Sequence, residues 1–223
     1  MKKLSRETLP LGGFAGLREY RLGTDSQVLG ARKTAATFEG LGHFVYLADA
    51  QFNPKGETGM HPHKEIDVIS VMIDGRVSHA GSLEHGKSLV AGDVQVQRAG
   101  GEGFSHNEVN PDMTKNRMIQ LWVLPETTGQ PAGYKHYSPS DKGVTRIYGG
   151  DTEQCDTFDS HIIIDIVRLA AGQSITLNRE QLTYVTAGSA EFTEAGATDV
   201  VVNGDLLRTV NAEVKAITEV NLI

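Results

Sequence analysis

The chain has 223 residues, which is enough for one large or two small β domains. Its formal net charge of −7 argues against a nucleic-acid-binding surface as its main function, because phosphate binding requires clustered lysine and arginine. The hydrophobic fraction of 39% and the charged fraction of 22% are typical of a soluble globular protein, and no apolar run approaches the roughly 20 residues of a membrane helix.

The N-terminus and the cysteine content indicate a compartment. Lys2 and Lys3 are not followed by an apolar stretch, so a secretory signal is not expected. Cys155 is the only cysteine, which excludes an internal disulfide and fits a reducing environment. We therefore expect a cytoplasmic monomer that neither enters a membrane nor binds nucleic acid directly.

Two strand-like segments precede the most informative part of the chain. Residues 17–22 and 42–48 have the composition of strands, and residues 53–59 have that of a loop. This loop leads directly into His61, which is the position expected for a site at the mouth of a barrel.

Two pairs of potential ligands then follow. His61 and His63 are two residues apart, as are His106 and Glu108, and residues two apart point to the same side of a strand. If the two strands face each other across a small barrel, three imidazoles and one carboxylate converge inside it. Three nitrogens and one oxygen form a site for a first-row transition metal with open positions. We predict His61, His63, His106 and Glu108 as metal ligands.

The sequence between these pairs predicts short strands joined by turns. Residues 66–73 form a β-branched run, and Asp74-Gly75 after it is a hairpin signal. Residues 84–87 and 91–93 are predicted as turns, and residues 94–98 alternate with period two. This density of strands and turns is typical of an antiparallel barrel or jelly roll, so the predicted fold class is all-β.

The remaining half of the chain is also predicted to be β. Residues 117–124 form a strand that ends at Pro125, and the glycines and prolines of residues 126–141 indicate a linker. Further strands are predicted at residues 161–169, 182–188, 190–192 and 206–208, with a hairpin between the second and third of these.

The two halves resemble a diverged repeat. Gly75 ends a strand and a Gly-Asp turn follows it, and Gly188 is followed by a Gly-Asp turn at nearly the same distance. Alignment on these glycines places Ser174 and Thr176 where His61 and His63 stand. We therefore predict a metal-binding lobe over residues 1–130 and a second lobe without a metal site over residues 131–223.

Several other polar residues have simpler interpretations than metal binding. Asp67 either supports a ligand imidazole through a hydrogen bond or forms an ordinary salt bridge or solvent-facing acid. His79 is interpreted as a surface or satisfied core histidine rather than a ligand. We interpret four further histidines as non-ligands: His43, His85, His136 and His161.

The ligand set restricts the chemistry without choosing the metal. Thiolates are absent from it, which excludes a cysteine-type structural zinc site. Imidazole with carboxylate suits Fe(II), Mn, Co, Ni, Cu or Zn. Two open positions on an octahedral metal would take a bidentate substrate, or a substrate together with O₂, and Glu108 beside the metal is placed to act as a base.

Several motifs together resemble the pirin family of bicupins. They are His61-Pro62-His63, Asp67, Asp74-Gly75, Gly92-Asp93-Val94-Gln95, Ala99-Gly100-Gly101-Glu102-Gly103, His106-Asn107-Glu108 and the segment QLWVLPE at residues 120–126. The match covers roughly residues 52–126, and it is most similar to the bacterial quercetinase-like members.

The resemblance implies a bicupin of two antiparallel β-barrel (jelly-roll) lobes that binds Fe(II). It implies cleavage of a flavonol such as quercetin with O₂ and release of carbon monoxide, with Glu108 both binding the metal and accepting the flavonol hydroxyl proton. Two alternatives stay open. One is a metal- and redox-sensitive regulatory protein that binds a protein partner without turnover, as eukaryotic pirins do. The other is an isomerase or decarboxylase that uses the metal as a Lewis acid.

Overall fold

The computed structural model describes residues 1–83 and 86–223 of the chain. Strands dominate it, and the prediction of an all-β fold is confirmed. The described helical elements are short, namely α1 (Ser26–Leu29) and the 3₁₀ turns Arg6–Thr8 and Gly30–Arg32. None of them has the length and apolar character that a membrane crossing requires.

The first twelve strands lie before residue 138. They are β1 (Lys2–Ser5), β2 (Gly12–Phe14), β3 (Leu17–Thr24), β4 (Phe44–Phe52), β5 (His61–His63), β6 (Asp67–Asp74), β7 (Arg76–Gly81), β8 (Ser88–Val90), β9 (Val94–Arg98), β10 (Phe104–Val109), β11 (Arg117–Val123) and β12 (Gly133–Tyr137).

Nine further strands lie after residue 142 of the described chain. They are β13 (Gly143–Gly150), β14 (Ser160–Leu169), β15 (Ser174–Leu177), β16 (Gln181–Ala187), β17 (Ser189–Glu194), β18 (Ala197–Val202), β19 (Asp205–Thr209), β20 (Ala212–Ala216) and β21 (Val220–Leu222).

The chain divides into two compact units. The larger unit comprises Pro10–Pro139 and Ile147–Ile163, and the smaller unit comprises Met1–Leu9, Ser140–Arg146 and Ile164–Ile223. The segments of the two units alternate along the chain, whereas a single boundary after residue 130 was expected. The N-terminal residues belong to the smaller unit because β1 forms an antiparallel ladder with β19.

The larger unit contains two antiparallel sheets. One has the strand order β12-β9-β6-β11-β4-β3-β2 and the other β5-β10-β7-β8. Apolar side chains from both sheets form a buried cluster, and removal of their surface from water favours folding of this unit. The cluster consists of Leu17, Ala50, Phe52, Met72, Val77, Leu89 and Met118.

The sheets of the smaller unit repeat the same strand orders. The order β15-β20-β17-β18 corresponds to β5-β10-β7-β8, and β19-β16-β21-β14-β13 corresponds to β9-β6-β11-β4-β3. The internal repeat predicted from the glycine spacing is therefore present in the topology. Its register differs from the prediction, because Ser174 and Thr176 are exposed whereas Ile175 and Leu177 of β15 pack against the apolar core.

Two predicted hairpins are wrong for a shared reason. Gly75 and Gly188 do end strands in the left-handed region, at φ +71° and +76°. The strands on either side of each glycine, however, belong to different sheets. Because β6 already pairs with β9 on one side and β11 on the other, it has no free edge for β7. Each glycine therefore carries the chain from one sheet to the other.

The predicted linker at residues 126–141 is also wrong. It contains β12, which pairs with β9 in an antiparallel ladder. Five residues with glycine at one end are too few for a recognisable sequence pattern. The predicted turn at residues 84–87 includes Glu84 and His85, which lie outside the described residues.

Because Gly188 carries the chain from one sheet to the other, Gly188→Ala is predicted to lower the free energy of unfolding strongly. A Cβ there would lie 1.8 Å from the Glu219 carbonyl oxygen, so the left-handed backbone and a backbone clash both oppose it. We expect destabilisation by at least about 3 kcal/mol, since the left-handed conformation alone costs about 1–2 kcal/mol. Denaturant unfolding measures this.

Gly172→Ala is the matched control. Gly172 has φ +81° and nothing within 4 Å of its would-be Cβ, so only the conformational cost of about 1–2 kcal/mol applies. Equal destabilisation by the two substitutions would contradict the packing proposed at Gly188.

Candidate metal centre

The predicted ligand pairs lie on neighbouring strands of one sheet. In the antiparallel ladder of β5 and β10, His61 is opposite His106 and His63 is opposite Phe104. The expectation that the two strands face each other across a barrel is therefore wrong, because the three-residue β5 pairs directly with β10. Pro62 is tolerated between the histidines because β5 is the edge strand of its sheet.

This pairing brings three imidazole nitrogens together. Nε2 of His106 lies 3.0 Å from Nε2 of His61 and 3.2 Å from Nε2 of His63. The ligand atoms of all three residues lie within 4.8 Å of one another, and they form the one such group found in the described part of the chain. The alternation along β10 buries His106 and Glu108, whereas Asn107 between them is less buried.

The partners of the opposite ring nitrogens determine the tautomers. Nδ1 of His61 lies 2.9 Å from the Gly59 carbonyl oxygen, and Nδ1 of His106 lies 3.0 Å from Oε1 of Gln97. Both oxygens can only accept, so both Nδ1 atoms carry the proton. In the neutral rings the Nε2 atoms of His61 and His106 therefore present lone pairs to each other.

Protonation of one ring would remove this repulsion between lone pairs, but burial disfavours the charged imidazolium. Burial lowers the pKa of His106 to about 2, with further lowering by the neighbouring His63, His61 and His79. Burial, with a smaller effect of His61, lowers the pKa of His63 to about 4. Neutral imidazoles are the form that binds a metal ion.

The donor set fits a transition metal. Two imidazole nitrogens bound to one ion at about 2.1 Å and at right angles to each other are separated by about 3.0 Å. The observed separations of 3.0 and 3.2 Å agree with this spacing. Facing lone pairs at such distances are repulsive until a cation lies between them. The three histidines can therefore hold a metal ion.

Glu108 lies apart from the group formed by the three histidines. Its side chain is 2% exposed, and its Oε1 accepts hydrogen bonds from Oγ of Ser70 at 3.0 Å and Nε2 of Gln95 at 3.2 Å. Burial raises the pKa of Glu108 to about 7, and these two hydrogen bonds oppose the increase. Its role as a fourth ligand remains a prediction.

Gln97 is the residue of this site that the sequence analysis missed. It is fully buried, and its amide joins two histidines: Oε1 accepts from His106, and Nε2 lies 3.0 Å from Nε2 of His79. His79 is thus a buried, hydrogen-bonded histidine, as interpreted from the sequence. The available signal was two glutamines, Gln95 and Gln97, which alternate with the valines of β9 and so lie on one face of the strand.

Asp67 makes the salt bridge that was one of its two interpretations. It is fully buried, and its Oδ2 accepts from the Tyr148 hydroxyl at 2.6 Å and from Nε of Arg98 at 3.4 Å. Arg98 also binds Asp159. Burial raises the pKa of Asp67, and the contacts with Tyr148 and Arg98 counteract part of the increase.

Aromatic rings border His63. Its ring centroid lies 5.2 Å from that of Phe104 and 6.1 Å from that of Trp122. Trp122 stacks on Tyr46 at 4.2 Å, and with Phe104 it belongs to a cluster of apolar side chains. Trp122 and Phe104 therefore form one wall beside the histidines, the "aromatic wall".

Three of the histidines interpreted as non-ligands make other contacts. His43 and His161 both approach Glu126, at 3.7 and 3.0 Å. His136 lies 3.4 Å from Asp93. His85 lies outside the described residues.

Comparisons with known proteins agree with this architecture. Residues 25–123 match the Pirin family model. The matched region is a little under half of the chain, and it contains the three histidines that converge at the candidate metal centre.

Two solved structures share the fold over nearly the whole chain. A bacterial pirin from Escherichia coli in complex with nickel(II) superposes with a TM-score of 0.83 at 17% identity, covering 99% of this chain and 96% of that one. Quercetin 2,3-dioxygenase from Acinetobacter baumannii superposes with a TM-score of 0.70 at 19% identity, covering 100% and 84%. The bicupin architecture is thereby confirmed.

Sequence relatives match over a shorter part. Quercetin 2,3-dioxygenase from Escherichia coli strain K12 is 33% identical over 78 residues, which is 34% of this chain and 33% of that protein. Alignments with relatives from Zymomonas mobilis and Pseudomonas aeruginosa cover 34% and 51% of their lengths. The chain is thus aligned with only about a third to a half of these curated relatives.

The geometry predicts that His63→Ala abolishes tight metal binding. Loss of one of three converging donors should lower the affinity for a divalent transition metal by at least about 100-fold. Elemental analysis after dialysis, together with the metal-induced rise in melting temperature, measures this. His136→Ala removes a half-exposed histidine from elsewhere and is the control. Full metal content in the His63→Ala protein would contradict the three-histidine site.

The Gln97 contact predicts a smaller effect on the same measurement. Gln97→Leu leaves the three ligands in place but removes the acceptor that holds the proton of His106 on Nδ1. We expect metal affinity to fall by about 10–100-fold, as is typical when a ligand imidazole loses its orienting partner. Gln27→Leu, which instead removes a hydrogen bond to the Gly42 carbonyl outside the site, should leave affinity unchanged. Equal affinities for the two variants would show that Gln97 does not orient His106.

Proposed function

We propose that this protein is a metal-dependent dioxygenase that cleaves a flavonol of the quercetin type, or a related polyphenol, with O₂. The observation that carries the proposal is the convergence of three imidazole Nε2 atoms beside the aromatic wall, with Nε2 of His106 at 3.0 and 3.2 Å from those of His61 and His63. The name of the quercetin 2,3-dioxygenase relative supports it. The proposed setting is a cytoplasmic monomer that acts on a small aromatic substrate.

The residues proposed to hold the metal are His61, His63, His106 and Glu108. Fe(II) is the proposed ion, and Mn, Co, Ni, Cu or Zn suit the same donors. When bound, such an ion supplies Lewis acidity and reactivity toward O₂. The protein contributes the fixed tautomers of His61 and His106, which keep their Nε2 lone pairs available.

Glu108 is proposed to take the proton of the flavonol hydroxyl. The hydrogen bonds of its carboxyl group within the described residues both end on Oε1, from Ser70 and Gln95. Oε2 is therefore the atom available to accept a proton. Since Ser70 and Gln95 hold the carboxyl group in one orientation, Oε2 does not need to reorganise when substrate arrives.

The aromatic wall is suited to a planar substrate. Phe104 is 4% exposed and packs against both His63 and His106. Trp122 stacks on Tyr46, which fixes the plane of its indole. Flat, rigidly held rings bind planar aromatic ligands through offset or edge-to-face contacts. This wall also keeps water from one side of the histidines.

The proposal predicts oxygen-dependent loss of flavonol absorbance. Protein loaded with Fe(II) should consume quercetin and O₂ in equal amounts and release the same amount of carbon monoxide. Absorbance, an oxygen electrode and a carbon monoxide trap measure the three quantities. Glu108→Gln should retain the fold and lower kcat by about 10²–10⁴-fold, the usual range for loss of a general base.

Two controls separate this reaction from its alternatives. The same protein without oxygen should leave the flavonol intact, whereas an isomerase or decarboxylase reaction would continue. The His63→Ala protein should be inactive. Absence of turnover with Fe, Mn, Co, Ni, Cu and Zn alike would refute the proposed activity.

A further inference from the structure

Phe14 is an exposed aromatic residue beside the metal centre. Its side chain is 49% exposed, although burial of a phenylalanine is normally favourable. Its ring centroid lies 6.5 Å from that of His61 at an interplanar angle of 87°, an edge-to-face contact. The proposed reaction assigns no role to this residue.

The hairpin that carries Phe14 is firmly attached to the loop before His61. β2 pairs with β3, and the turn between them contains Gly16. The Gly16 amide donates to the Glu57 carbonyl at 3.0 Å, and the Asn53 amide donates to the Gly16 carbonyl at 2.9 Å. The approach is so close that a Cβ on Gly16 would lie 2.4 Å from the Glu57 nitrogen.

The same loop is attached to the strand that carries His106 and Glu108. Asn107 donates from Nδ2 to Oε2 of Glu57 at 2.6 Å. The backbone amide of Glu108 donates to Oγ1 of Thr58 at 3.1 Å. The Phe14 hairpin, the loop and β10 are thus linked by successive hydrogen bonds. The backbone that carries Phe14 is therefore held at a set position relative to β10.

Phe14 and the aromatic wall contact different histidines. Phe14 contacts His61, whereas Trp122 and Phe104 contact His63. A substrate that consists only of the fused, reacting ring system needs no aromatic surface beyond the wall. A substrate with a further ring, joined to that system by a single bond, would extend beyond the histidines and require a further apolar contact.

We propose that Phe14 is a specificity residue that binds the ring appended to the reacting ring system of the substrate. This inference rests on the proposed function for the substrate class, and it assigns to one residue the recognition of the ring that a flavonol carries in addition to its reacting ring system. The exposed face of Phe14 is the face that the appended ring covers.

Binding of two matched compounds tests this without turnover. 3-Hydroxyflavone carries the appended phenyl ring, and 3-hydroxychromone has the same reacting ring without it. Trp122 is the single tryptophan of the chain and contacts His63, so its fluorescence reports occupancy. Titrations use metal-loaded protein in the absence of oxygen. Phe14→Ala should weaken 3-hydroxyflavone binding roughly tenfold and change 3-hydroxychromone binding less than about twofold.

Two further variants separate ring contact from local structure. Phe14→Tyr keeps the ring and should restore 3-hydroxyflavone binding. Val90→Ala removes an equally exposed apolar side chain, 50% exposed, from β8 at the other edge of the sheet that begins with β5, and should change neither affinity.

Each outcome decides the inference. Selective loss of 3-hydroxyflavone affinity in Phe14→Ala, with recovery in Phe14→Tyr, supports it. Equal losses for both compounds, no loss, or no binding of 3-hydroxyflavone to the wild-type protein overturns it. Binding that depends on Phe14 without consumption of the compound when oxygen is admitted would refute the dioxygenase proposal alone.

Discussion

The antiparallel pairing of β5 with β10 is the constraint on which the rest of the site depends. It places His61 opposite His106 and brings Nε2 of His106 to 3.0 and 3.2 Å from the Nε2 atoms of His61 and His63. Because two of these atoms are lone-pair acceptors facing each other, the arrangement favours a cation over empty space. A one-residue slip in this ladder would turn both histidines of β5 to the opposite face and remove the site.

The histidines are surrounded by buried polar side chains. Ser70, Gln95, Gln97 and Glu108 are 2% exposed or less, and burial of such groups is unfavourable unless they are hydrogen-bonded. They bond mainly to each other and to His79 and His106. The larger unit therefore has two interiors with different roles: an apolar cluster that stabilises the unit, and a polar one that orients ligands and a carboxyl group.

The sequence predicted much of this architecture, and its failures have physical causes. The β class, the approximate repeat and the three histidines follow from two-residue spacing and turn chemistry, which are local. Sheet membership is not local: whether the strands on either side of Gly75 pair depends on whether β9 and β11 already occupy the edges of β6. The same holds for Gln97, whose importance arises only when β9 is placed beneath β10. Asp67 had two plausible partners by spacing, and Arg98 and Tyr148 became its partners through packing that spacing cannot show.

X-ray absorption spectroscopy of the metal-loaded protein tests the central claim most directly. The account predicts a first coordination shell of nitrogen and oxygen atoms at about 2.0–2.2 Å, with the multiple-scattering signature of three imidazoles. The Gln97→Leu protein should keep that shell while binding more weakly. A spectrum that shows one imidazole or none would contradict the account. So would a spectrum that does not change in the His63→Ala protein.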